Sequence, residues 1–108
     1  MKNYLFSILF SFFVFLSFSN AINADETDGK TVFQANCNVC HAGGTNQIIP
    51  DKTLEKEVLD NNGMYNVKAI ITQVTNGKNA MPAFGGRLSN EEIVNVANYV
   101  LDQSNEGW

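Results

Sequence analysis

A chain of 108 residues has room for one small domain, and its formal charge of −4, from 7 basic and 11 acidic residues, excludes the basic stripe that nucleic-acid binding needs. An acidic surface of this kind fits a soluble monomer that meets basic patches on its partners. Only 2 cysteines are present, so disulfides alone cannot staple so small a domain.

The N-terminus reads as a targeting segment. Lys2 is the only charge before Asp25, and "YLFSILFSFFVFLSF", Tyr4 to Phe18, is apolar apart from serines. A basic start, a short apolar run and then small residues make a secretory signal peptide. A membrane span needs about 20 apolar residues, and this run ends sooner, in "SNAINADE". Cleavage is expected after Ala24, with Ala21 as the alternative, leaving a domain over 25–108 without a membrane span. Phe6, Phe10, Phe12, Phe13, Phe15 and Phe18 leave with the signal. The remaining aromatics are Phe33, Phe84, Tyr65, Tyr99 and Trp108, few for a self-sufficient core.

The first helix is predicted from Asp28 to about Asn36, with Val32 and Phe33 facing inward. It leads into "NCNVCHAGG", which holds both cysteines and the only histidine of the chain. A thioredoxin-type redox pair would follow a buried strand, and here an amphipathic helix precedes Cys37. A structural zinc site needs a second ligand pair, which the chain lacks. A bare disulfide would close a tiny loop and leave His41 without a role. Cys-x-x-Cys-His is also the c-type haem attachment pattern. Cys37 and Cys40 would add to the two vinyl groups as thioethers, and His41 would reach the iron from one face. A covalently held haem would supply the apolar body around which small helices can pack.

Downstream, "AGGTNQIIPDK" is too rich in Gly, Pro and Asn to be a helix interior. Pro50 is a candidate for holding His41 through its backbone carbonyl. A short second helix is signalled by Thr53 as N-cap, Leu54 and Val58 four apart, and the stop "NNG" at Asn61 to Gly63. A third has Val67, Ile70, Ile71 and Val74 on one face and ends at Asn76-Gly77. The next loop, "KNAMPAFGGR", contains Met81 beside the stiffening Pro82. A Met in the sixth position of a haem iron makes an electron-transfer site and raises the potential. Met81 is the favoured ligand; Met64, just past a helix stop, reads as packing. The fourth helix opens on a capping box, Ser89 to Glu92, and its stripe is Ile93, Val96, Ala97, Val100 and Leu101, with Val94 and Tyr99 on the flank. No segment alternates long enough to demand a strand, so the expected class is all-α, with about four short helices.

The stretches "VFQANCNVCHAGG", "IIPDKTL", "QVTNGKNAMPAFGGRLS" and "VANYVLDQSNEGW" together resemble the cytochrome c6 family, also called cytochrome c553, of cyanobacteria and algal plastids. The resemblance covers essentially the whole mature chain. It implies a small class I cytochrome c fold wrapped around one covalent haem c, with first and last helices crossing at Gly29, Phe33 and Tyr99. By position it makes Cys37 and Cys40 the thioether anchors, and His41 and Met81 the axial ligands. Gln73 matches a glutamine that tunes the haem potential, and Arg87 an arginine used in docking.

The resemblance further implies a diffusible one-electron carrier rather than an enzyme. Its donor would be cytochrome f of the cytochrome b6f complex and its acceptor photosystem I, in the thylakoid lumen. Other readings are donation to a terminal oxidase, a lumenal redox sensor, which would be expected to carry an extra cysteine pair, and a small haem peroxidase, against which Met81 speaks. The signal lacks twin arginines and a transit stretch, which points to a plastid-encoded algal protein, with a cyanobacterial lumen or periplasm as the alternative.

Overall fold

The computed structural model describes residues 27–108. The expected signal segment, 1–24, lies outside the described residues. Five helices follow in chain order: α1 Gly29–Asn36, α2 Asn38–His41, α3 Lys56–Asn61, α4 Val67–Asn76 and α5 Asn90–Glu106. A tight helical turn at Ala42–Gly44 continues α2. Among the described residues the nearest thing to a strand is one antiparallel bridge between Lys78 and Met81. The all-α expectation therefore holds, with one helix more than foreseen, because the Cys-x-x-Cys-His segment coils into a turn of its own.

α5 is the spine. Its 17 residues start at the capping box: Ser89 Oγ accepts the Glu92 backbone N–H at 3.1 Å, and Glu92 Oε1 accepts that of Ser89 at 2.9 Å. This satisfies two donors that a helix start would otherwise leave orphaned. Ile93, Val96, Ala97 and Val100 form its buried stripe, while Tyr99 lies half-buried on the flank. α1 and α4 pack against this stripe with Val32 and Phe33, and with Ile70 and Val74. Leu59 of α3 and Phe84 of the following loop complete the core. Burying one such side chain is worth roughly 1.5–3 kcal/mol.

The crossing of α1 over α5 depends on Gly29. A Cβ there would overlap the Asn95 carbonyl oxygen and stand 2.7 Å from Tyr99 Cβ. Only a residue without a side chain permits this approach. Asn95 adds a tie, donating from Nδ2 to the Thr27 carbonyl at 2.9 Å.

The second predicted helix needs correction. Thr53 is not its N-cap and Leu54 is not its first apolar residue. The helix begins at Lys56 behind Glu55, and Leu59 rather than Val58 is its buried residue. Leu54 is claimed elsewhere: its N–H donates to the Gly44 carbonyl at 2.8 Å and its carbonyl accepts the Trp108 indole N–H at 2.8 Å. These tertiary bonds hold Leu54 out of the helical ladder. By contrast α4 starts and ends where its pattern places it, capped by Asn66, whose side chain accepts from Lys68 and Ala69.

Candidate functional site

Cys37, Cys40 and His41 share one short helical stretch. Cys37 bends the chain between α1 and α2, and its carbonyl accepts the N–H groups of Cys40 at 3.2 Å and His41 at 2.9 Å. Cys37 and Cys40 form no disulfide with each other. Cys37 packs half-buried against the core, and this burial pushes its thiol up to about 11. A redox or zinc-binding cysteine needs the opposite shift, toward thiolate. An apolar setting suits a neutral sulfur, as in a thioether. Val39, between the cysteines, is 83% exposed, so the spacer faces away from the core.

His41 Nδ1 lies 2.9 Å from the Thr45 carbonyl oxygen. A carbonyl only accepts, so Nδ1 carries the proton and the Nε2 lone pair is left for a metal. The partner is Thr45 and not Pro50, which is exposed. The reason is local. Gly43 and Gly44 both adopt left-handed backbone, φ 63° and 79°, and turn the chain back at once toward His41. Thr45 then anchors itself by donating from Oγ1 to the Ala42 carbonyl at 2.6 Å. Beyond it Asn46 organises the loop, accepting from Ile48 and Ile49 and donating to the Lys52 carbonyl.

Met81 stands half-buried on a second, differently built loop. Lys78 and Met81 exchange backbone hydrogen bonds of 3.0 and 2.9 Å around a two-residue turn in which Asn79 has φ 53°. Farther on, the Phe84 N–H donates to the Val74 carbonyl at 2.9 Å and that of Gly85 to Thr75 at 3.1 Å. These bonds also satisfy carbonyls at the C-terminal end of α4. Gly77 makes the strap possible. Its φ is +71°, and a Cβ there would meet the Met81 carbonyl oxygen at 2.6 Å and the Ala83 nitrogen at 2.8 Å.

Gln73 comes to Met81 from α4, with its Nε2 3.6 Å from the thioether sulfur. A thioether sulfur has two lone pairs, so one contact of this kind leaves the other available. Met64 packs against the core and borders, with Lys68, Gln73, Gly77 and Lys78, a surface groove of about 470 Å³. The groove reaches the site through Gln73 and Gly77; neither cysteine, His41 nor Met81 lines it. Cys37 and Met81 pack against the same core cluster. Arg87 is exposed, with its guanidinium 4.8 Å from the centre of the Phe84 ring.

Three contributors escaped sequence reasoning: the Thr45 carbonyl, Gly77 as a seat for the Met81 loop, and Trp108. Gly77 was visible as a helix stop, but its second duty depends on how the chain returns.

The donors present fit a c-type haem. Two sulfurs with two residues between them, an imidazole with its Nδ1 already engaged and a thioether on a neighbouring loop are the donor types that a covalent anchor and two iron ligands would need. Comparison with known proteins agrees. Residues 24–100 match the family model described as cytochrome C oxidase, cbb3-type, subunit III. The cytochrome c6 of Porphyra purpurea is 58% identical over 105 residues, 94% of this chain and 96% of the relative. That of Bumilleriopsis filiformis is 64% identical over 85 residues, 79% of this chain and 99% of the relative. The crystal structure of cytochrome c6 from the diatom Phaeodactylum tricornutum superposes with a TM-score of 0.73 at 61% identity, covering 79% of this chain and all of that one. The helices thus form a class I cytochrome c fold, made for one covalently bound c-type haem. The chain belongs to the cytochrome c6 family of electron-carrying c-type cytochromes.

Proposed function

We propose that this chain carries single electrons from the cytochrome b6f complex to photosystem I in the thylakoid lumen, after export on a signal peptide ending at Ala24. Cys37 and Cys40 would anchor the haem, and His41 and Met81 would be the ligands of its iron. The haem, when bound, supplies a one-electron Fe(III)/Fe(II) couple. The observation that carries this reading is that both donors are pre-set by the chain. His41 is fixed as the Nδ1–H tautomer by Thr45, and Met81 is seated by Gly77 and met by Gln73. Residues held this firmly keep their positions in both oxidation states, as a carrier requires. Gln73 additionally tunes the donor strength of the Met81 sulfur, and Arg87 contributes to docking.

The algal sources of the relatives support a plastid location. Among the described residues no helix is long and apolar enough to cross a membrane. Flash-induced oxidation with isolated photosystem I tests the acceptor: single-turnover oxidation of the reduced protein is expected, and its absence would remove photosystem I from the proposal.

A further inference from the structure

The aromatic side chain of Trp108 lies far in sequence from the glycine turn that follows the Cys-x-x-Cys-His segment and against that turn in space. Its ring stacks with Phe33 at a centroid distance of 5.3 Å and meets Tyr99 edge-on at 6.2 Å. The indole also covers Gly44 so closely that a Cβ on Gly44 would overlap its ring atoms. Its Nε1 donates to the Leu54 carbonyl at 2.8 Å, and Leu54 N–H returns to the Gly44 carbonyl at 2.8 Å. Trp108, Leu54 and Gly44 therefore close a small ring of contacts. The next residue, Thr45, supplies the carbonyl that His41 Nδ1 meets at 2.9 Å.

We infer that Trp108 is a positioning residue for His41: it clamps the Gly43-Gly44 turn and so holds the Thr45 carbonyl on the imidazole. Two consecutive glycines in left-handed backbone have the widest conformational freedom of any dipeptide and do not keep this turn by themselves. Thr45 has its own bond to Ala42, but that bond lies within the same turn and moves with it. Gln47 N–H returns to the Cys40 carbonyl at 3.0 Å and ties the far end of the loop to α2, while the glycine turn itself is covered by Trp108, directly over Gly44 and through Leu54. The outer partner of the His41 ring is thereby set from the chain just past α5, and such partners fix both the orientation and the basicity of a ligating histidine.

The inference rests on His41 being an iron ligand, and the test separates the two claims. The haem-loaded protein is prepared as wild type, Trp108→Ala, Trp108→Phe and Val96→Ala. The last empties core volume on α5 and serves as the stability control. In the reduced, diamagnetic state the solvent exchange of the His41 Nδ1 proton is followed by NMR. Trp108→Ala is expected to speed exchange by about ten-fold, Trp108→Phe, which keeps a ring but loses the Nε1 donor, by less, and Val96→Ala not at all. Equal rates in all four proteins, or equal acceleration in Trp108→Ala and Val96→Ala, would overturn the positioning role. Should Trp108→Ala fail to accumulate, Trp108→Phe decides alone: faster exchange than wild type supports the role, an unchanged rate removes it. A wild-type protein without a histidine-ligated haem spectrum would instead defeat the functional reading beneath it.

Discussion

The loop that carries Met81 and the loop that holds His41 are secured by different forces. The Met81 loop is a local structure. Its ties are backbone hydrogen bonds within 74–85, closed around Gly77, and they join the loop to the helix just before it. The His41 loop is held from a distance. Besides the Gln47 bond to Cys40, its glycine turn has the indole of Trp108 over Gly44 and the Leu54 bond beside it, and the proposed clamp rests on these. A backbone strap resists side-chain substitution but fails when Gly77 is replaced. A side-chain clamp depends on the docking of α5 and on the bare Gly44 beneath the indole.

The largest effect is expected where the comparison is broken outright. Met81→Ala removes the proposed sixth ligand, so the far-red Met–Fe(III) band should vanish and cyanide or carbon monoxide should bind. The midpoint potential should fall by roughly tenths of a volt, within the ~0.8 V that axial ligands span. Retention of band and potential would pass the ligand role to Met64.

Gly77→Ala should come next. Its left-handed backbone costs about 1–2 kcal/mol for a side chain, and forcing a Cβ against Met81 and Ala83 about 1–3 kcal/mol more. Denaturant titration followed at the far-red band should show that band lost before the helices unfold. Gly44→Ala carries the same backbone cost, at φ +79°, and displaces Trp108. A loss of roughly 2–4 kcal/mol is expected there as well. In this variant band and helices should disappear together, because the damage reaches the α1–α5 core. Identical titration profiles for the two variants would erase the distinction between strap and clamp.

The smallest effect on the molecule itself is expected from Arg87→Glu. Arg87 is exposed beyond the Met81 loop, and its cation–π contact with Phe84 is worth about 0.5–1 kcal/mol at such a site. Spectrum and potential should stay as in the wild type. Electron transfer to photosystem I should slow, and the difference should narrow as salt shortens the Debye length below ~8 Å. Equal rates at every salt concentration would place docking elsewhere.

The same contrast explains what could be read in advance. Local signals were legible: the capping box at Ser89 and Glu92, the stripe from Val67 to Val74, the helix stop at Gly77. Each is decided by residues within a turn or two. The Cys-x-x-Cys-His motif was legible for the same reason, since its chemistry depends on spacing alone. The errors share a different cause. Thr53 and Leu54 carry a good helix start, yet Leu54 is drawn into the Trp108 contact and the helix begins later. Pro50 is a reasonable source of an accepting carbonyl by spacing, yet the glycine turn under Trp108 brings Thr45 to His41 first. Trp108 itself shows no pattern at all, because its partners are reached only after α5 has folded across α1.

Optical spectroscopy of the purified exported protein, oxidised and reduced, with its potential measured on the same sample, tests the central claim most directly. A c-type α band on reduction, a weak far-red band on oxidation and a potential raised by methionine ligation are the predicted result. A protein with Cys37 and Cys40 still free as thiols and no α band would contradict it.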